Sequence, residues 1–180
     1  SRDGQRVATG SLDNTVRVWE VADGVERMTL AQPAAVWSVQ FAADGLSLLV
    51  GTGNERATVW DLASRQPKAP PIIAPSAHRR DRHPSPRGLA FTAVFSPDEH
   101  TIATGSVDQT ARLWSTASGE LRYPMAGRRH WFSILQEDVA LAVAFAPGGT
   151  EWVTGGLDGT ATLWSVPPEP EPRLVLKGHD

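Results

Sequence analysis

One arrangement of residue types occurs four times in this chain, each time with the same internal spacing. A short β-prone run ends in glycine, a polar turn carries aspartate or asparagine, and an alternating run then leads to tryptophan. This order predicts a strand, a tight turn and a second strand. Because a repeated unit buries its apolar face only against its neighbours, the pattern indicates a repeat fold. In every copy the glycine precedes the tryptophan by nine residues, and the turn residue precedes it by six. The four sets are Gly10, Asp13 and Trp19; Gly51, Asn54 and Trp60; Gly105, Asp108 and Trp114; and Gly155, Asp158 and Trp164.

The repeat unit also includes a strand upstream of this hairpin and a weaker strand after it. Phe41, Phe95 and Phe145 lie 19 residues before the last three tryptophans, and each closes an alternating run with one apolar side. A turn and a further β-prone run follow every tryptophan, so the unit holds four short strands. In the first copy the phenylalanine would lie one residue before Ser1, which predicts that this copy lacks its first strand.

These hairpins resemble the WD-repeat β-propellers, whose unit is a four-stranded blade of about 40 to 45 residues. Trp60-Asp61 is the dipeptide that names the family, and Gly178-His179 matches its Gly-His pair. The resemblance implies an all-β fold, a partial β-propeller made of four consecutive WD-type blades of which the first lacks its innermost strand. The repeats are also similar in style to those of large bacterial signalling proteins. The expected single domain spans residues 1–180, with blades at 1–34, 35–88, 89–138 and 139–180.

The resemblance also implies a hydrogen-bonded chain inside each blade. In the family it joins a histidine, a strand serine or threonine, the turn aspartate and the tryptophan indole. Here the hydroxyl would come from Thr9 or Ser11, Thr104 or Ser106, and Thr154. We expect partial networks, because only His179 stands at the Gly-His position. The expected members are Asp13, Trp19, Asn54, Trp60, Asp108, Trp114, Asp158, Trp164 and His179.

Length variation between repeats falls in two inserts, at 75–88 and 127–138. Both lie where the last strand of one blade leads to the first strand of the next, so the propeller topology places both on the face that carries the aspartate turns. Arginine and aromatic residues in both inserts are typical of binding hot spots. The alternative is that both inserts are solvated surface loops. The candidate partner-binding residues are Arg79, Arg80, Arg82, Arg87, Arg128, Arg129, Trp131 and Phe132.

Composition argues against nucleic-acid, membrane, metal and cofactor binding. A net charge of -3 gives no reason to expect a nucleic-acid or membrane partner, and the chain contains no cysteine. The spacing of His78 and His83 in a proline-rich segment makes a metal site improbable. We therefore expect no metal and no cofactor. No apolar run approaches the roughly 20 residues of a membrane span and no secretory segment opens the chain, so we expect a cytoplasmic protein.

These observations predict a non-catalytic scaffold that binds a protein or peptide partner, together with the remaining blades of a parent chain. The sequence contains no nucleophile elbow, phosphate loop or dinucleotide fingerprint that would indicate an enzyme. An alternative is a regulatory or sensor region attached to a bacterial Ser/Thr kinase or a similar signalling enzyme. A propeller enzyme is a further alternative, because some other propellers carry chemistry at the entrance of the central channel.

Overall fold

The structure is a computed structural model that describes residues 1–73, 91–106, 111–123, 140–156, 159–166 and 172–178. All regular structure in these ranges is β-strand, as the alternating runs predict. The strands are β1 (Arg6–Gly10), β2 (Thr15–Glu20), β3 (Glu26–Ala31), β4 (Val36–Phe41), β5 (Ser47–Thr52), β6 (Arg56–Asp61), β7 (Gln66–Pro67), β8 (Ile72–Ile73), β9 (Phe91–Phe95), β10 (Thr101–Ser106), β11 (Ala111–Ser115), β12 (Leu121–Tyr123), β13 (Ala140–Phe145), β14 (Glu151–Gly156), β15 (Thr160–Ser165) and β16 (Pro172–Lys177).

The strands form four antiparallel sheets, each a meander in chain order. The first sheet has three strands, β1 to β3, whereas β9 to β12 and β13 to β16 form sheets of four. The first sheet lacks a strand on the inner side of β1, which matches the missing first strand of its repeat. The expected all-β partial propeller of four blades is therefore confirmed. The blade limits drawn from the sequence stay a prediction.

The second sheet differs from the others at its outer edge. Its fourth strand is divided into β7 and β8, and both short pieces pair with β6. The connecting segment contains Pro70 and Pro71, which have no backbone N–H to donate to a neighbouring strand. Lys68 still donates its backbone N–H to the carbonyl of Val59 over 2.8 Å, so the edge stays attached between the two pieces.

The apolar core lies between the sheets as three separate clusters, one for each pair of neighbouring blades. We call the face that a blade turns toward the preceding blade its front face, and the face toward the next blade its rear face. At each junction the front face contributes the tryptophan and the residue twelve positions before it. The rear face contributes the residues one, three and eleven positions before its own tryptophan. The rear residues are Ala8, Val16 and Val18; Leu49, Ala57 and Val59; and Ala103, Ala111 and Leu113.

Turns recur at fixed positions with a left-handed backbone conformation. These positions lie fifteen before, five before and five after the tryptophan, with φ from 58° to 72° among the described residues. Glycine adopts this conformation at little cost, whereas other residues lose on the order of 1 kcal/mol there. The glycines at these positions are Gly4, Gly24, Gly45, Gly119, Gly149 and Gly159, and the other residues are Asn14, Glu55, Arg65 and Glu99.

Polar contacts also fix neighbouring blades relative to each other. Between the second and third blades, the backbone N–H of Ala93 donates to the Ser38 hydroxyl over 3.0 Å. The N–H of Phe95 donates to Oε1 of Gln40 over 2.8 Å. A third bond joins the N–H of Ala43 to the Glu99 carboxylate. These directional bonds add to the apolar packing and set the register of one inner strand against the next.

Candidate interaction surface

Three of the four repeat tryptophans donate their indole N–H to a threonine hydroxyl ten residues earlier. The distances are 3.0 Å from Trp19 to Thr9, 2.8 Å from Trp114 to Thr104 and 3.0 Å from Trp164 to Thr154. In the third and fourth blades the bond is buried. In every described case the partner is threonine and not the neighbouring serine. The bond lets a large apolar ring fill the junction while its one donor stays paired.

The second blade lacks this bond. Trp60 is preceded at the same distance by Val50, which is fully buried and has no hydroxyl. The Trp60 Nε1 atom is itself buried and has no hydrogen-bond partner among the described residues. A buried donor without a partner costs roughly 1 to 3 kcal/mol. Val50 lies ten residues before Trp60 in the sequence, so the missing hydroxyl partner of this indole could have been predicted from the sequence.

The described turn residues bond within their own hairpins. The Asp13 carboxylate accepts hydrogen bonds from the N–H and hydroxyl of Thr15, at 2.9 and 2.6 Å. The Thr15 hydroxyl is the largest cause that lowers the pKa of Asp13. In the second blade, Oδ1 of Asn54 accepts from the Thr52 hydroxyl over 2.6 Å. In both blades the turn side chain bonds to a residue of its own hairpin, and its link to the tryptophan stays a prediction. Asp108, Asp158 and His179 lie outside the described residues.

The turns of the first two blades and the crossing between these blades form one face, which we call the turn face. The carbonyls of Ser11 and Asn14 accept the backbone N–H groups of Val36 and Gln32, at 3.0 and 2.8 Å. Large apolar side chains stay exposed on or next to this face. Leu12 is 70% exposed in the turn, and Trp37 is 45% exposed where the register of β4 against β5 shifts. A bulge of this kind re-aims one side chain out of the sheet.

Three of the four strands that flank the inserts, β8, β9 and β13, end or begin at this same face. Ile73, the last residue of β8, pairs with Arg56 next to the turn of the second blade. Phe91 pairs with Ser106 at the end of β10, and Ala140 pairs with Gly156 at the end of β14. These three strand ends therefore lie at the turn ends of their sheets, whereas β12 ends at Tyr123, which pairs with Leu113 in the middle of β11. The candidate residues of the inserts lie outside the described residues; they are Arg79, Arg80, Arg82, Arg87, Arg128, Arg129, Trp131 and Phe132.

The opposite face carries an open cavity of about 580 Å³ at the ends of the inner strands. Phe41, Phe95 and Phe145 line it together with Arg2 and Glu99. Within the part of the chain that the structure describes, no group of three or more histidine, cysteine, aspartate or glutamate residues could hold a metal ion. Nor do the described ranges contain a helix long and apolar enough to cross a membrane.

The lowered pKa values of the described aspartates arise within turns. The Ser96 hydroxyl and the N–H of His100 bond to Asp98 at 2.5 and 3.0 Å, and the hydroxyl is the larger cause that lowers the pKa of Asp98. The N–H and hydroxyl of Ser64 lower the pKa of Asp61 in the same way. Because each carboxylate is stabilised as an anion by its own turn, these shifts indicate structural roles.

Several known proteins are similar to this chain. A relative from Gallus gallus, "Serine-threonine kinase receptor-associated protein", is 31% identical over 118 residues, which cover 66% of this chain and 30% of the relative. From Arabidopsis thaliana, "Protein SPA1-RELATED 3" is 32% identical over 129 residues, which cover 69% of this chain and 14% of the relative. "WD repeat-containing protein VIP3", also from Arabidopsis thaliana, is 29% identical, and the match covers 38% of its length. The chain thus spans only a minor part of each of these relatives.

The family model described as "WD domain, G-beta repeat" matches residues 1–20, 78–115 and 134–165. Together these segments make up half of the chain, and they contain three of the four repeat tryptophans, Trp19, Trp114 and Trp164. The relatives come from an animal and a plant, so they give no support to the expected bacterial type. The four blades, the recurring tryptophan hairpins and these matches agree, and the chain belongs to the WD-repeat family.

Proposed function

We propose that this chain is a non-catalytic scaffold that binds a protein partner through the turn face and its two inserts. The observation that carries this proposal is the common position of three described strand ends that flank the inserts, those of β8, β9 and β13. Leu12 and Trp37 add exposed apolar area on or next to the same face. Such aromatic and aliphatic side chains beside arginines are the residue types that dominate binding energy in protein interfaces.

The chemistry of the inserts favours an acidic partner segment. The first insert carries four arginines against one aspartate. The second carries two arginines beside Trp131 and Phe132, and its two acidic residues, Glu137 and Asp138, stand together at its end. Guanidinium groups form paired hydrogen bonds with carboxylates, and they stay charged at all physiological pH values. An acidic segment with apolar residues would meet the arginines of the inserts and the apolar side chains of the turn face together.

The proposal is tested with two double charge reversals and a matched control. One variant carries Arg79→Glu and Arg80→Glu, the second carries Arg128→Glu and Arg129→Glu, and the control carries Arg65→Glu and Lys68→Glu outside the turn face. Partners captured by the wild-type chain from its source cells are quantified by mass spectrometry. We expect at least tenfold less capture by either insert variant and unchanged capture by the control. Unchanged capture by both insert variants would overturn the proposal.

A second candidate is a regulatory repeat region attached to a Ser/Thr kinase or a similar signalling enzyme. The match that covers only 14% of "Protein SPA1-RELATED 3" shows that such repeats also occur within much longer chains. Sequencing the complete reading frame tests this candidate. A frame that encodes a kinase domain is expected, and a frame that encodes only further repeats would overturn it.

A further inference from the structure

An apolar patch lies where the inner strand β4 of the second blade meets the turn of the first blade. The carbonyl of Ser11 accepts the N–H of Val36 over 3.0 Å, and the exposed Leu12 and Trp37 directly follow these two residues. The two apolar side chains therefore stand on either side of one bond between blades. Pro33, in the crossing between the two blades, is exposed as well. We call Leu12, Pro33 and Trp37 the apolar patch.

The apolar patch favours a large apolar side chain of a partner. It lies at the turn ends of two sheets that pack against each other, and not on a face that a neighbouring blade covers. Its nearest acid, Asp13, is already bonded to the N–H and hydroxyl of Thr15 in its own turn. Because a tryptophan in an interface buries about 150 to 250 Å², covering Trp37 removes much apolar area from water.

A half-buried arginine lies in line with the apolar patch. The register of the second sheet places Val36, Thr52, Arg56 and Ile73 in one row across β4, β5, β6 and β8. Because neighbouring strands are about 4.8 Å apart, Arg56 lies roughly 10 Å and Ile73 roughly 14 Å from Val36. Ile73 is 55% exposed. An apolar patch, a cation and a second apolar side chain thus follow one another from the inner to the outer strand.

The Arg56 guanidinium has no ion pair with any residue in the described ranges. The neighbouring acid, Glu55, is buried and has interactions of its own. Gly53 stands at the position that Leu12 has in the first blade, so no side chain projects there between Trp37 and Arg56. A partner carboxylate can therefore approach Arg56, and guanidinium groups form strong paired hydrogen bonds with carboxylates.

We propose that the row from the apolar patch over Arg56 to Ile73 binds an extended segment of a partner protein. Read from the inner strand outward, the segment has a large apolar residue, an acidic residue about three positions on and a second apolar residue next to it. This spacing follows because an extended chain rises about 3.3 Å per residue, so roughly 10 and 14 Å correspond to about three and four residues. The inference rests on the proposed function and specifies the chemistry of its partner.

The test measures binding of fluorescein-labelled peptides to the 180-residue chain by fluorescence anisotropy. One probe contains Phe-Ser-Ser-Glu-Leu, and a second contains Leu-Glu-Ser-Ser-Phe, which presents the same spacing in the opposite chain direction. The control peptide, Phe-Glu-Leu-Ser-Ser, has the same composition with a different spacing. We expect one of the two probes to bind about tenfold more tightly than the control, a difference of about 1.4 kcal/mol. Equal binding of all three peptides, or binding of none, would overturn the proposal.

Two substitutions assign the contacts of the better probe. Trp37→Ala should weaken its binding about tenfold, which is typical of an aromatic hot spot. Leu46→Ala is the matched control, because Leu46 is an exposed apolar residue in the turn before β5, at the opposite end of the second sheet, and binding should not change. Wild-type affinity of the Trp37→Ala chain would overturn the assigned patch. Circular dichroism checks that each variant is folded.

Arg56→Gln tests the acidic position of the partner segment. This substitution should weaken the probe that carries glutamate about tenfold, and it should not affect the same probe with glutamine in its place, because only the carboxylate pairs with the guanidinium. Equal weakening of both peptides would overturn the assigned role of Arg56.

The outcomes separate this inference from the proposed function. If no peptide binds while Arg79→Glu with Arg80→Glu still reduces capture of cellular partners, only the assigned row is wrong. If a probe binds the row while both insert variants keep full capture, the row stands and the proposed role of the inserts is wrong.

Discussion

The second and third blades share one fold but differ in how the tryptophan N–H is paired. In the third blade Trp114 donates to Thr104, whereas in the second blade the buried Nε1 atom of Trp60 has no partner among the described residues and Val50 stands at the position of the threonine. The second blade nevertheless carries the Trp-Asp dipeptide that names the family, and its Asp61 bonds to Ser64 within the following turn. The segments that the family model matches omit residues 21–77. The indole N–H is therefore paired by the hydroxyl ten residues before the tryptophan and not by the Trp-Asp dipeptide.

The largest effect is expected from Thr104→Val in the third blade. The substitution keeps the side-chain shape but leaves the buried Trp114 N–H without a partner, which costs roughly 1 to 3 kcal/mol. Urea unfolding of the chain measures this loss. Thr9→Val is the matched control, because its bond to Trp19 is exposed and water can replace the hydroxyl. An equal loss of unfolding free energy in both variants would show that burial of the tryptophan N–H does not determine the cost of leaving it unpaired.

The reverse substitution, Val50→Thr, should stabilise the second blade. Its hydroxyl would occupy the position that Thr104 has in the third blade and would pair the Trp60 N–H, a gain of roughly 0.5 to 1.5 kcal/mol. The gain should disappear when Trp60→Phe is combined with it, because phenylalanine has no N–H. Thermal unfolding of the wild-type chain, the two single variants and the double variant gives a double-mutant cycle for this pair of residues. A gain that persists without the indole would contradict this explanation.

A smaller effect is expected at the turn five residues after each tryptophan. This position is Gly119 in the third blade and Arg65 in the second, with φ of 71° and 58°. Gly119→Ala should destabilise the chain by about 1 kcal/mol, whereas Arg65→Gly should stabilise it by a few tenths. Denaturant midpoints of the two variants give both values. Arg65→Ala serves as the control, since it removes the side chain without removing the Cβ atom, and it should give no gain.

The smallest effect is a pH dependence in the third blade. The folded-state pKa of Asp98 is lowered from its ordinary value of 3.8, mainly by the Ser96 hydroxyl. The resulting stabilisation is fully present above the unfolded pKa and is lost as the pH falls through the folded pKa. In the second blade Ala42 replaces the serine, and Asp44 accepts a bond from Leu46. Ser96→Ala should reduce the loss of stability below pH 3.8, as measured by urea unfolding at several pH values. An unchanged acid dependence would exclude this bond as its cause.

Most of the fold could be predicted from the sequence because its signals are local. Side-chain alternation indicates strands, and turn residues at fixed distances from the tryptophan indicate where each strand ends. The four sheets and the missing first strand follow from that register. The division of the outer strand into β7 and β8 was not predicted, although Pro70 and Pro71 mark the interruption.

The candidate interaction surface was harder to predict from the sequence. The partner-binding function of the arginines in the two inserts stays a prediction, as does the extension of the tryptophan network to Asp108, Asp158 and His179. The exposed Trp37 on β4 was not singled out, because an alternating run does not show where a bulge shifts the register. A bulge depends on pairing with a partner strand, which is a contact across the sheet.

Residue spacing was sufficient to predict the repeat and the strand order within each blade, because these properties depend on residues close together in the chain. Only the packed structure shows which tryptophan N–H is paired and that Arg6 reaches Gly45 in the next blade. Each of these depends on how one sheet packs against another, and residue spacing within a single blade does not contain that information.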